Sequence, residues 1–133
     1  MMPATKPLAA IFLLAGNLLA GDLEDGIAAF NDGRYSTALP LLRRAAGKGG
    51  GRPSHVFLAL TEAAENDCKS ALPTLLPEAR AADELGLLSG LAAARCQSAA
   101  GETTAALATL DALKQHFAGN ADVLWVHLRL PPV

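Results

Sequence analysis

An alanine-leucine pair with a second leucine three residues past the first occurs three times in this chain of 133 residues: Ala38-Leu39-Pro40 with Leu42, Ala71-Leu72-Pro73 with Leu75, and Ala106-Leu107 with Leu110. The alanines stand 33 and then 35 residues apart. A period of that length is one supersecondary unit long, and such units stack because none can bury its apolar face alone. The first copy shows what the unit is. Within GIAAFNDGRYSTALPLLRRAA, Gly26 to Ala46, Gly33 offers a turn that needs no Cβ, and Tyr35, Ala38, Leu39, Leu42 and Ala45 follow at three- and four-residue steps. This is the pattern of a helix hairpin with one apolar side. Ala and Leu dominate while aromatic residues make up 5% of the chain, which suits closely approaching helices better than sheets. The expected fold is all-α, a short stack of about three helix-turn-helix repeats with a partial helix at the C-terminal end.

Residues 1–21 read as a leader. Lys6 precedes an apolar run from Leu8 to Ala15, then Gly16 and Asn17 break it before small residues, the layout of a secretory signal peptide. The run is shorter than the ~20 residues that span a bilayer. Cleavage is expected after Ala20 or Gly21, and the bulky Leu18 leaves the exact bond open. The competing reading is a buried first helix, against which Gly16, Asn17 and Gly21 interrupt any helical stripe.

The repeat domain is expected over 22–133, with repeats at about 22–52, 53–84 and 85–119 and a terminal helix over 121–130. Leu23, Ile27 and Phe30 form the stripe of the first helix, and Asp22, Glu24 and Asp25 crowd its first turn, where negative charge is favoured. Pro40 is expected near enough to the start of the second helix to be tolerated. Gly47 to Gly51 ends that helix. Gly47-Lys48-Gly49 lacks the Ser or Thr and the preceding strand that a phosphate loop requires. In repeat two, Pro53 and Ser54 open a helix carrying Val56, Phe57, Leu60, Ala63 and Ala64; Asn66-Asp67 makes the turn and caps the next helix. Pro77 is expected to kink that helix, or to split it and begin a second segment over 78–84. Repeat three runs over 85–98, turns at Gly101, and continues over 103–117 with Ala106, Leu107, Leu110 and Leu113 inward. Gly119 and Asn120 stop it. The closing ADVLWVHLRL is expected to lie as a lid over repeat three through Val123, Leu124, Trp125 and Leu128, with a strand as the alternative.

Together these residues resemble the tetratricopeptide repeat family over roughly residues 22–130. Gly26, Gly33, Tyr35, Ala38, Leu42 and Ala45 match its pattern in repeat one, Ala71 with Leu75 and Ala106 with Leu110 match it in the next two, and Gly101 keeps the turn. The family's aromatic near the start of each first helix is absent, and Cys68 and Thr103 replace Tyr35. The resemblance implies a right-handed α-solenoid and a non-catalytic scaffold for protein-protein interaction. It also implies that first helices line a concave face, with Ile27, Asn31, Val56, Leu60, Leu91 and Arg95 as candidate groove residues. Such a groove is apolar with a polar edge, suited to an amphipathic helix or an extended apolar segment of another protein. Alternatively, these side chains pack on one another or on the terminal helix.

Cys68 and Cys96 are the only cysteines. Antiparallel packing brings the start of one helix and the end of the next together, so a disulfide is expected, and export carries the pair into an oxidising compartment. The other readings are a redox-active pair, which lacks the C-x-x-C spacing, or free buried thiols in a cytosolic protein. Catalysis has no visible basis. His55, His116 and His127 stand singly without metal-ligand spacing, no G-x-S-x-G occurs, and nothing places a base beside a thiol. No cofactor is expected. The net charge of −2 gives no argument for nucleic acid or an anionic membrane as partner, so membrane contact is expected only during export. Arg34, Arg43, Arg44, Lys48 and Arg52 run without an acid between them, and the following span carries Glu62, Glu65, Asp67, Glu78, Asp83 and Glu84 against Lys69 and Arg80. Solvated helix faces account for this run. The chain is expected to be an exported, periplasmic scaffold; the alternatives are a thiol redox accessory using Cys68 and Cys96, or a subunit that self-associates through the Trp125 region.

Overall fold

The structure is a computed structural model that describes residues 21–120. These contain six helices and no strand: α1 over residues 21–31, α2 Tyr35–Gly47, α3 Gly51–Ala64, α4 Cys68–Glu78, α5 Glu84–Ala99 and α6 Thr103–His116. The expected leader as far as Ala20, and the stretch over 121–130 where a terminal helix with Trp125 is expected, lie outside the described residues.

The helices form hairpins α1–α2, α3–α4 and α5–α6, and the same turn closes each. Gly33, Asn66 and Gly101 take φ of +77°, +66° and +81°. In each case the next amide reaches back five residues: Arg34 N–H donates to the Ala29 carbonyl (2.8 Å), Asp67 to Glu62 (2.8 Å) and Glu102 to Gln97 (2.8 Å). The left-handed residue reverses the chain and satisfies carbonyls that the helix end leaves open. Asparagine serves in the middle copy because its short polar side chain tolerates this region better than other non-glycine residues.

The repeated alanines and leucines are the core. Ala38, Ala71 and Ala106, with Leu42, Leu75 and Leu110, are all fully buried. Small residues set the helix spacing. An added Cβ on Gly26 would lie 2.7 Å from Cγ and Cδ2 of Leu42, and one on Gly90 2.5 Å from Cδ2 of Leu113. Three buried clusters run along the chain, around Leu42, around Leu75 with Val56 and Leu60, and around Leu110 with Leu91. Phe30 and Phe57 belong to the margins of both the first and the second, their rings meeting edge-on at 5.5 Å. Neighbouring helices pack in chain order from α2 to α6, and α3 also packs on α5 across the intervening helix. This packing is compatible with a helical repeat.

Two expectations about proline need correction. Pro40 is the sixth residue of α2, past the first turn, so its missing N–H does remove a helix hydrogen bond. It is exposed, as is Ser36, whose carbonyl the missing N–H would have met. Pro77 does not begin a new segment over 78–84; α4 runs through it and ends one residue later at Glu78, and α5 begins at Glu84. Pro73 and Pro77 stand four residues apart, so the later turns of α4 lack two donors of the ladder, one turn apart.

Arg52 ties this break together. It donates to Glu78 at the end of α4 (2.6 Å) and forks onto Asp83 before α5 (2.6 and 3.0 Å), while Asp83 accepts the Gly86 amide at 2.9 Å as the N-cap. The Arg52 bonds, then the Gly86 amide, hold the Asp83 carboxyl down at about 2, and the two acids raise Arg52. At the other end Asp22 accepts from Arg44 (3.3 Å) and Lys48 (3.4 Å), joining the start of α1 to the end of α2, and the Arg44 bond lowers its pKa. The basic run is thus partly paired rather than only solvated.

Candidate functional site

The first helices of the three hairpins, α1, α3 and α5, together line a hollow of about 410 Å³. Phe30 comes from α1, Leu60, Ala63 and Ala64 from α3, and Leu88, Leu91, Ala92, Arg95, Cys96 and Ala99 from α5. Tyr35, Asn66 and Cys68 close its edge from the turns and second helices. The wall is mostly apolar. Phe30 is held in place by Tyr35 at 5.6 Å as well as by Phe57. Alanines at 63, 64, 92 and 99 keep the hollow open, since larger side chains at those places would fill it.

The disulfide is part of this wall. Cys68, the first residue of α4, and Cys96, in the last turns of α5, are bonded with their Cα atoms 5.5 Å apart. Cys96 is almost fully buried, at 3% exposure, which hinders thiol attack on its sulfur. The bond joins the second and third hairpins across 28 residues of sequence.

The polar groups all sit at the edge. The Arg95 guanidinium is exposed, and no acidic residue lines the hollow. Among the described residues Arg95 makes no side-chain hydrogen bond or ion pair, as is true also of Arg43, Lys69 and Arg80, whereas Arg34, Arg44, Lys48, Arg52 and Lys114 pair with carboxylates. No histidine lines the hollow, and its cysteines are bonded to each other. No group of three His, Cys, Asp or Glu able to hold a metal occurs among the described residues.

Of the six candidate groove residues, Leu60, Leu91 and Arg95 line the hollow together. Val56 does not. It is fully buried in the cluster around Leu75, on the same face of α3 as Leu60 but one turn earlier, before the hollow begins. Ile27 is half-buried against the Leu42 cluster, and Asn31 is exposed beyond the rim. Lining residues that were not among the six include Phe30, Leu88, Ala92 and Ala99, with Tyr35, Ala63, Ala64 and Asn66. A signal for Leu88, Ala92 and Ala99 stood in the sequence: with Arg95 they recur at steps of four, three and four, one stripe of α5. Phe30 had none, since it belongs equally to the core stripe of α1.

A second hollow of about 460 Å³ lies between α4 and α6, lined by Leu76, Ala79, Arg80, Thr109, Gln115 and His116 among others. It is more polar and draws on two helices only. Comparison of the chain with protein-family models, with curated proteins and with solved structures found no match.

Proposed function

We propose that this chain is a non-catalytic scaffold of the tetratricopeptide type, a short right-handed superhelix exported to the periplasm, that holds a segment of another protein in the hollow of α1, α3 and α5. The observation carrying this reading is that the three first helices contribute to one apolar concavity, kept open by alanines and walled by a covalent bond. A groove with an apolar floor and polar groups confined to the edge accepts one face of an amphipathic helix or the side chains of an extended strand. The disulfide supports export, because such bonds persist in oxidising compartments.

A photo-crosslinker placed at Ala99, exposed on the wall, and separately at Asp111, exposed on α6 away from it, tests the binding half in cells. A protein product is expected from position 99 and not from position 111. Equal products from both, or none from either, would sink the reading. Unreduced intact mass of the chain recovered from the periplasm tests the export half: the expected species lacks the leader and is lighter by the hydrogens that disulfide formation removes. A full-length reduced chain found only in the cytosol would overturn it.

A further inference from the structure

Arg95 stands out because it is a cation without a counter-charge at the mouth of an apolar hollow. Its neighbours on α5 along the stripe, Leu88, Leu91, Ala92 and Ala99, carry no charge, and no carboxylate from α1 or α3 reaches the wall. Arg43, Lys69 and Arg80 are likewise without an ion pair among the described residues, but Arg95 is the one basic residue that lines this hollow, whereas Arg52 is held by two acids. The Tyr35 hydroxyl and the Asn66 side chain, also on the rim, make no hydrogen bond to the described residues either. A guanidinium offers a planar fork of donors that a carboxylate matches in both shape and charge.

We infer that the occupant of the hollow is a peptide segment combining large apolar side chains, which enter between Phe30, Leu60 and Leu91, with a single acidic side chain at their edge that pairs with Arg95. This rests on the scaffold reading and adds to it the chemistry of the partner. The apolar residues supply most of the affinity. The acid sets register and steers the encounter, because a rim charge acts chiefly through orientation and rate of approach. One acid is enough: a second carboxylate would meet only apolar wall or uncharged rim groups.

The test is selection of peptides from a random display library on the full chain, followed by titration of the selected peptides against three proteins. These are the original, Arg95→Gln, and Ala99→Arg, which fills the hollow from its exposed wall; circular dichroism establishes that both variants are folded. Expected are peptides carrying two or three apolar residues and one Asp or Glu, losing about fivefold in affinity on Arg95→Gln. Their binding weakens with added salt for the original protein and much less for Arg95→Gln. Replacing the peptide's acid by its amide reproduces the Arg95→Gln loss without adding to it. Peptides that lack an acid, or that bind Arg95→Gln as well as the original, while still blocked by Ala99→Arg, would overturn this inference and leave the scaffold reading standing. Peptides indifferent to Ala99→Arg, or no enrichment at all, would take down both.

Discussion

Single atoms decide the spacing of the first hairpin. Gly26 lies against Leu42, whose Cγ as well as Cδ2 would sit 2.7 Å from an added Cβ, and Leu42 is fully buried, so it has nowhere to move. Gly26→Ala gains the better helix propensity of alanine, about 1 kcal/mol, but must force the helices apart, which costs about 1–3 kcal/mol. The expected net effect is destabilisation, read as a lower urea midpoint. Gly47→Ala supplies the control: nothing lies within 4 Å of its added Cβ and its φ is not positive, so that variant is expected to be as stable as the original or more so. Asp83 predicts a pH response. Its carboxyl, bonded to Arg52 and to the Gly86 amide, titrates at about 2 when folded, below the value near 3.9 of an unfolded chain. A depressed carboxyl contributes stability that is complete above the unfolded value and disappears as pH falls from about 4 toward 2. Asp83→Asn should therefore lower the melting temperature at neutral pH and make little difference at the acid end of that window. Equal losses at both pH values would show that the charge is not what Arg52 holds.

At the scale of elements, the three turns form an internal comparison. They share one hydrogen-bond pattern and one left-handed residue, yet two use glycine and one asparagine. Gly101→Ala puts a Cβ where left-handed backbone is unfavourable, at a cost of about 1–2 kcal/mol, although no neighbour lies within 4 Å to clash with it. Asn66→Gly removes such strain and is expected to leave stability unchanged or raised. Chemical denaturation of the two variants checks both signs, and equal destabilisation by both would mean that the shared turn geometry is not what counts. This element was legible because its requirement is local: Gly33, Asn66 and Gly101 each sit between apolar stripes, and only a few residues accept positive φ. The alanine and leucine positions were legible for a related reason, since a fixed spacing on a helix fixes a face. Pro77 was not readable in the same way. Whether a proline kinks, splits or ends a helix depends on what waits beyond it, and here that is the Asp83 cap and the grip of Arg52, a residue 31 positions away from that cap. Val56 was misjudged because position in a repeat tells which helix lines the hollow but not how far along the helix the hollow extends.

For the molecule as a whole, the disulfide determines how the second and third hairpins respond together. Helical repeats hold through contacts between neighbours, so a break between two hairpins separates the stack into pieces that are each short of core. Cys68 and Cys96 bridge that boundary at the hollow, whose walls come from both sides of it. Closing a loop of about thirty residues stabilises a fold by ~3–4 kcal/mol through restriction of the unfolded chain. Cys68→Ala combined with Cys96→Ala is expected to lose that amount in urea unfolding, with a steeper denaturant dependence because the unfolded chain becomes more open. Occupancy of the hollow should fall too, and below the midpoint of unfolding, since the C-terminal end of α5 is then free to part from α4 while Leu42, Leu75 and Leu110 still hold each hairpin closed. Amide exchange in the paired-cysteine variant separates local from global loosening. Faster exchange confined to residues 92–99 and 66–72, with the core of α2 unchanged, is the expected result. Uniform acceleration along the chain would mean that the bond stabilises the fold without shaping the site.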